Sequence, residues 1–194
     1  MQSTLSGDSR ESRDKRVSLP EARVSDFEVY LEWLYTSEVV VIGEFDSRGI
    51  IFVRLYLLGQ DLEDDRFCNA VIDTLLDEHR PGNSEIMIFS PQAIQWIWNR
   101  TLPGSILRKI LIDFVILDMG GAVHVPRFMP DHTWPREASV EVLARLGEHK
   151  EVAGALLSMD LEMIRKAIKA TIQHPRTQNK CDYHKHGEDY PRCT

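Results

Sequence analysis

Residues 106–119 carry Ile106, Leu107, Ile110, Leu111, Phe114, Val115 and Leu117, with Gly120 and Gly121 directly behind them. Apolar residues at three- and four-residue spacing predict a helix, and the two glycines end it. Ser105 stands where it can cap that helix. The apolar residues cover most of the circumference, so this helix has to be enclosed by its neighbours. The C-terminal half is therefore expected to be built around it. Arg108, Lys109, Asp113 and Asp118 break the apolar run well short of the roughly 20 residues that span a bilayer.

The remaining periodic segments predict further helices. Ser25 with Glu28 three residues on fits a capping box. It opens a helix with Phe27, Leu31 and Leu34 on one face, expected in the core, and Tyr30 and Trp33 flanking them. Residues 38–43 are short and β-branched and predict a strand or an extended link. Val17-Ser18-Leu19 alternates like a short strand that Pro20 ends. Asp46-Ser47-Arg48-Gly49 predicts a turn. A helix over residues 50–62 presents Ile51, Leu55, Leu58 and Leu62. Asp64 or Asp65 caps the next helix, which carries Phe67, Val71, Ile72, Leu75 and Leu76.

Pro81-Gly82-Asn83-Ser84 marks a boundary. Beyond it, Ser90-Pro91 starts a short helix with Ile94, Ile97 and Trp98 inward. Residues 126–135 form a proline-punctuated linker. Two amphipathic helices follow over residues 137–148 and 160–173, the second capped by Asp160 with Leu161, Ile164, Ile168 and Ile172 inward. Pro175 ends the packed part and leaves a polar tail. Three regions result: residues 1–80, a helical region at 81–175 and a flexible Cys/His-containing tail at 176–194. The fold class is predominantly α with minor β (α+β).

With 43 % hydrophobic and 27 % charged residues, the 194-residue chain has the composition of a globular protein. A net charge of -7 argues against a general nucleic-acid binder, because phosphate contacts need clustered Lys and Arg. Residues 1–8 lack the apolar core of a secretory signal, and no membrane partner is expected. Three widely spaced cysteines suit a reducing intracellular compartment, cytoplasm or nucleus, rather than a disulfide framework.

Little in the chain suggests chemistry. Cys181, His184, His186 and Cys193 follow a C-x2-H-x-H-x6-C spacing, and thiolate and imidazole suit tetrahedral zinc. The competing reading is a flexible tail with no cofactor. Gly7-Asp8-Ser9 lacks the oxyanion hole and the downstream histidine pattern that a serine hydrolase needs. Cys68, among apolar neighbours, reads as an inert core thiol. His79, His124, His132, His149 and His174 are scattered, and surface or capping roles are expected for them. No catalytic residues are assigned, and the chain is not expected to be an enzyme.

Several blocks occur in a telling order. They are Leu5-Ser6-Gly7-Asp8, Glu11-Ser12, Val17-Ser18-Leu19-Pro20-Glu21, residues 27–39, residues 55–62 and residues 67–76. Together they resemble the second half of a BTB/POZ domain, closest to the fungal BTB proteins. Residues 105–109, Asp113-Phe114 and residues 181–186 resemble the C-terminal part of the same group. The chain departs from the family in lacking the first strands and the dimer-forming helix, and in carrying Ser37 where glycine is usual. The resemblance implies an incomplete BTB/POZ-like unit followed by a helical C-terminal region. It implies a non-catalytic protein-interaction module, self-associating or adaptor-like, with another BTB chain or a scaffold as partner. Cullin binding draws on both halves of the domain and is not implied. The partner-facing residues would be Phe27, Tyr30, Trp33, Tyr35, Leu55 and Tyr56. The alternatives are a small zinc-stabilised protein using the tail, or a truncated product without independent function.

Overall fold

The chain is described from a computed structural model covering residues 22–43, 45–79, 91–121, 134–158 and 160–186. Eight α-helices succeed one another in these residues. They are α1 (Val24–Thr36), α2 (Phe45–Asp61), α3 (Asp65–Glu78), α4 (Pro91–Arg100), α5 (Ile106–Gly121), α6 (Arg136–Gly147), α7 (Lys150–Leu157) and α8 (Leu161–Thr171). Two 3-10 turns, Pro175–Thr177 and Lys180–Tyr183, follow. The predominantly α class stands, whereas the minor β part finds no strand among the described residues. Val17-Ser18-Leu19, the Pro81–Ser84 boundary and most of the 126–135 linker lie outside the described residues.

Helix α5 takes the central place expected of it. Leu107, Ile110, Leu111, Phe114 and Ile116 are buried, with α6 and α8 packed alongside. Gly120 and Gly121 do not stop this helix as expected but lie within it. A Cβ at Gly120 would sit 2.5 Å from Ile168 Cγ2, so the glycine lets α8 lie close against α5. Gly59 serves the α2–α3 pair in the same way, since a Cβ there would be 2.8 Å from Cys68 Sγ. One buried cluster runs through the molecule and joins Trp33, Phe67 and Leu75 to Ile97, Phe114, Val152 and Tyr183.

Helix ends follow their caps where a side chain supplies one. Asp64 accepts from Phe67 N at 3.0 Å, and Asp160 accepts from Glu162 N at 2.8 Å and Met163 N at 3.1 Å. The capping box at Ser25 does not form. Helix α1 starts after Arg23, without a side-chain cap, and Ser25 falls in the first turn. Helix α2 begins at Phe45, so the expected turn at residues 46–49 is helical. Arg48 explains this locally: Nη2 donates to Val41 O at 3.3 Å and pairs with Glu78 of α3. Contacts made across the fold outweigh the turn preference of Asp, Ser and Gly there. Helix α7 was not expected, because eight residues containing Gly154 carry a weak periodic signal.

Residues 38–43 form the extended link. Val39 and Val41 turn inward, while Val40 and Ile42 face out. The alternation is that of a strand, but among the described residues no neighbouring strand completes a ladder.

The largest correction concerns the C-terminus. The segment from Pro175 to His186 is no loose tail but a strap packed across the helices. Tyr183 is fully buried, and its hydroxyl donates to Asp113 Oδ2 at 2.6 Å. Asn69 holds the Lys185 backbone at both its N–H and its carbonyl, each at 2.9 Å. Lys185 Nζ reaches Asp65 at 2.9 Å, and Lys109 Nζ donates to Asp182 O at 3.0 Å. Two of the scattered histidines also belong to this seam. His79 stacks on Phe114 with ring centroids 3.7 Å apart, and its Nδ1 lies 3.2 Å from His174 Nε2.

Candidate interaction surface

Helix α1 has two apolar faces. The inner one carries Asp26, Val29, Tyr30 and Trp33. Asp26 is buried and bound in a two-pronged pair, accepting from Arg54 Nε at 2.9 Å and Nη2 at 3.0 Å. A carboxylate in the first turn is also favoured by the helix dipole. Tyr30 lies edge-on to Phe67 at 4.9 Å, and Trp33 approaches the same ring at 5.0 Å. Tyr30 donates its hydroxyl to Asp64 at 3.1 Å; burial and then that carboxylate raise its pKa above the usual tyrosine value.

The outer face carries the residues expected in the core. Phe27 is 37 %, Leu31 42 % and Leu34 52 % exposed, with Val24 at 78 % and Tyr35 at 90 %. Residues 24, 27, 31 and 34 repeat at the three-and-four spacing that makes one continuous stripe along a helix. The exposed Glu28 and Glu32 line one edge of it, and Tyr30 with Asp64 closes the other. No Lys or Arg occurs in α1. Val40 and Ile42 add exposed apolar surface just beyond the helix.

The six residues expected to face a partner are therefore divided. Phe27 and Tyr35 lie on the outer face, and Tyr30 sits at its edge. Trp33, Leu55 and Tyr56 are buried in the core and present no surface to a partner. The expectation missed Val24, Leu31 and Leu34 as surface residues. Their spacing was visible, but so was the second face at Asp26, Val29, Tyr30 and Trp33. The pairing of Asp26 with Arg54 and the packing of Tyr30 and Trp33 on Phe67, all with residues far along the chain, settle which face turns inward.

Of the proposed zinc ligands, Cys181, His184 and His186 are not gathered into a site among the described residues. Cys193 lies outside the described residues. His184 Nε2 lies 3.0 Å from Asp73 Oδ1, and the His184 and His186 rings are 6.2 Å apart. Among the described residues no three His, Cys, Asp or Glu side chains converge as a metal site would require. Cys68 is buried, and burial pushes its thiol up to about 12, which leaves too little thiolate for reactivity at neutral pH.

Two concavities carry charge. One, about 310 Å³, lies between α5 and α6 beside Arg108, Lys109, Asp113, Glu141, Arg145 and Glu148. Its charges serve the fold. Arg108 donates to Glu141 at 2.8 Å, Thr101 Oγ1 at 2.9 Å and Trp98 O at 2.8 Å, and Arg145 donates to Asp113 at 2.9 Å. The other, about 540 Å³, lies between α2 and the loop after α4, where Arg100 pairs with Asp61 at 3.2 Å. Among the described residues no helix is long and apolar enough to cross a membrane.

Comparison with protein-family models, with curated proteins and with solved structures finds no match for this chain.

Proposed function

We propose that this chain is a non-catalytic protein-interaction module, and that its partner-facing surface is the outer face of α1. One observation carries this reading. A stripe from Val24 through Phe27 and Leu31 to Leu34 stays in solvent on a helix whose opposite face is locked by the Asp26–Arg54 pair. A helix that is apolar on both sides has one side more than its own core uses, and such patches mark places where another molecule packs. Helix-in-groove recognition uses side chains at this spacing. The resemblance of residues 27–39 and 55–76 to a BTB/POZ unit supports the same class of function and suggests a BTB-type module. In that reading the partner is a protein, either another BTB chain or a scaffold.

The test compares wild type with a Leu31→Asp/Leu34→Asp variant as baits in quantitative capture, alongside light scattering and a thermal melt. Both positions are exposed, so the variant is expected to keep the wild-type melting temperature. The reading holds if a partner, or self-association, is seen with wild type and lost with the folded variant. Identical results for the two chains would overturn it.

A further inference from the structure

We propose that the outer face of α1 selects a basic amphipathic helix of a partner protein. The inference rests on the reading of this face as an interaction surface and adds the chemistry of what it accepts. The apolar stripe has acidic margins on both sides. Glu28 and Glu32 are exposed along one edge, and Asp64 stands at the other, held there by the Tyr30 hydroxyl. Glu38 adds a further exposed carboxylate past the C-terminal end of α1; no Lys or Arg lies within the helix, and the flanking cation, the exposed Arg23, stands at its N-cap before the stripe begins.

The residues of the stripe span three helical turns, about 15 Å at the usual rise. An occupant of matching length that places leucine-like side chains at the same spacing would cover Phe27, Leu31 and Leu34. Its own flanking positions would then fall beside Glu28 and Glu32 on one side and Asp64 on the other. Lysine or arginine at those flanks is attracted, and aspartate or glutamate is repelled. The same rule disfavours a second copy of this chain. Any two-fold pairing of the stripe with itself sets acidic margin against acidic margin, which is the like-charge arrangement that specific helix pairs avoid. The long alkyl stems of Lys and Arg also cover apolar surface while their charged ends reach a margin.

The experiment titrates the full chain against two labelled synthetic helical peptides that share one leucine stripe. One carries lysine at every flanking position and the other glutamate. Fluorescence anisotropy reads the binding. The lysine peptide is expected to bind and the glutamate peptide to bind at least about tenfold more weakly. A Glu28→Lys/Glu32→Lys variant should lose roughly tenfold for the lysine peptide and gain for the glutamate one. A Glu137→Lys/Glu151→Lys variant changes net charge equally on α6 and α7 and should behave as wild type. Leu31→Asp should weaken both peptides while leaving the melt unchanged.

Equal loss in the two charge variants would mean non-specific attraction and overturn the proposal. A dimer in light scattering that Leu31→Asp dissolves would overturn it in favour of self-pairing. Absence of peptide binding, with a photo-cross-linker at position 31 labelling residues 1–21 of the same chain, would overturn it in favour of an internal occupant. A partner captured through this face by an acidic or uncharged segment would sink the charge rule and leave the interaction surface standing. Absence of any difference in capture would sink both.

Discussion

Helix α1 and the strap from Pro175 to His186 exchange the roles their compositions suggest. The helix is rich in aromatic and aliphatic residues, yet Leu31, Leu34 and Tyr35 stand in solvent. The strap is polar almost throughout, yet it is fastened across the core by Tyr183, Asn69 and Lys185. Burial follows from partners more than from residue type. A polar segment packs well when each group it buries meets a complementary one, as Tyr183 meets Asp113. An apolar segment stays exposed when the core already has its fill from the other side. The pair also separates two kinds of importance. The strap contributes contacts that hold the fold together, and the outer face of α1 is the surface proposed for recognition.

The sharpest way to break this contrast is Tyr183→Ala. Removing a fully buried aromatic ring should cost about 3–5 kcal/mol, read as a large fall in the denaturant midpoint. A loss below about 1 kcal/mol would show that the strap contributes little to the fold. Next comes the inner face of α1. Asp26→Ala strips a buried partner from Arg54 and should cost about 3 kcal/mol, measured in the same unfolding experiment. A negligible effect would mean that the ion pair does not decide which face turns inward.

A smaller effect sharpens the polar side of the comparison. Tyr183→Phe keeps the ring but removes a hydrogen bond to a carboxylate, worth about 1.5–3 kcal/mol. It also carries a pH signature. Burial, and then the Asp113 carboxylate, raise the Tyr183 pKa above its ordinary value of 10.0. The unfolded chain therefore releases this proton first. The stability linked to it is fully present below pH 10.0 and is lost as pH rises towards the folded value. Wild type should lose stability faster than Tyr183→Phe across that range. Parallel curves would count against a buried, neutral Tyr183. The smallest effect is expected at Leu31→Asp, within about 0.5 kcal/mol by thermal melt. A loss several times larger would return that face to the core and remove the interaction surface with it.

Much of this arrangement was legible in the chain. The central α5, the caps at Asp64 and Asp160, the start of α4 at Pro91 and the extent of α6 all rest on neighbours within a few residues. Such signals act within one or two helical turns, and a sequence displays them directly. The candidate surface was legible only in part. Tyr35 was picked out as partner-facing, Phe27 was assigned both to that set and to the core face with Leu31 and Leu34, and the buried Trp33, Leu55 and Tyr56 were counted as partner-facing too. Helical periodicity reports that a face is apolar and says nothing of what lies opposite. The strap was missed because its fastenings join Asn69 to Lys185, Asp113 to Tyr183 and Asp73 to His184.

The sequence by itself determined where helices form, which of them must be central and where several begin. Periodicity, caps and breakers act locally and need no knowledge of the rest of the chain. The tertiary structure alone decided which of two apolar faces of α1 is buried and that the C-terminal segment is part of the core. Those outcomes depend on the charge pair of Asp26 with Arg54 and on the seating of Tyr183 against Asp113. Each joins groups far apart in the chain, and burying a charge or a hydroxyl is favourable only once the distant partner is in place.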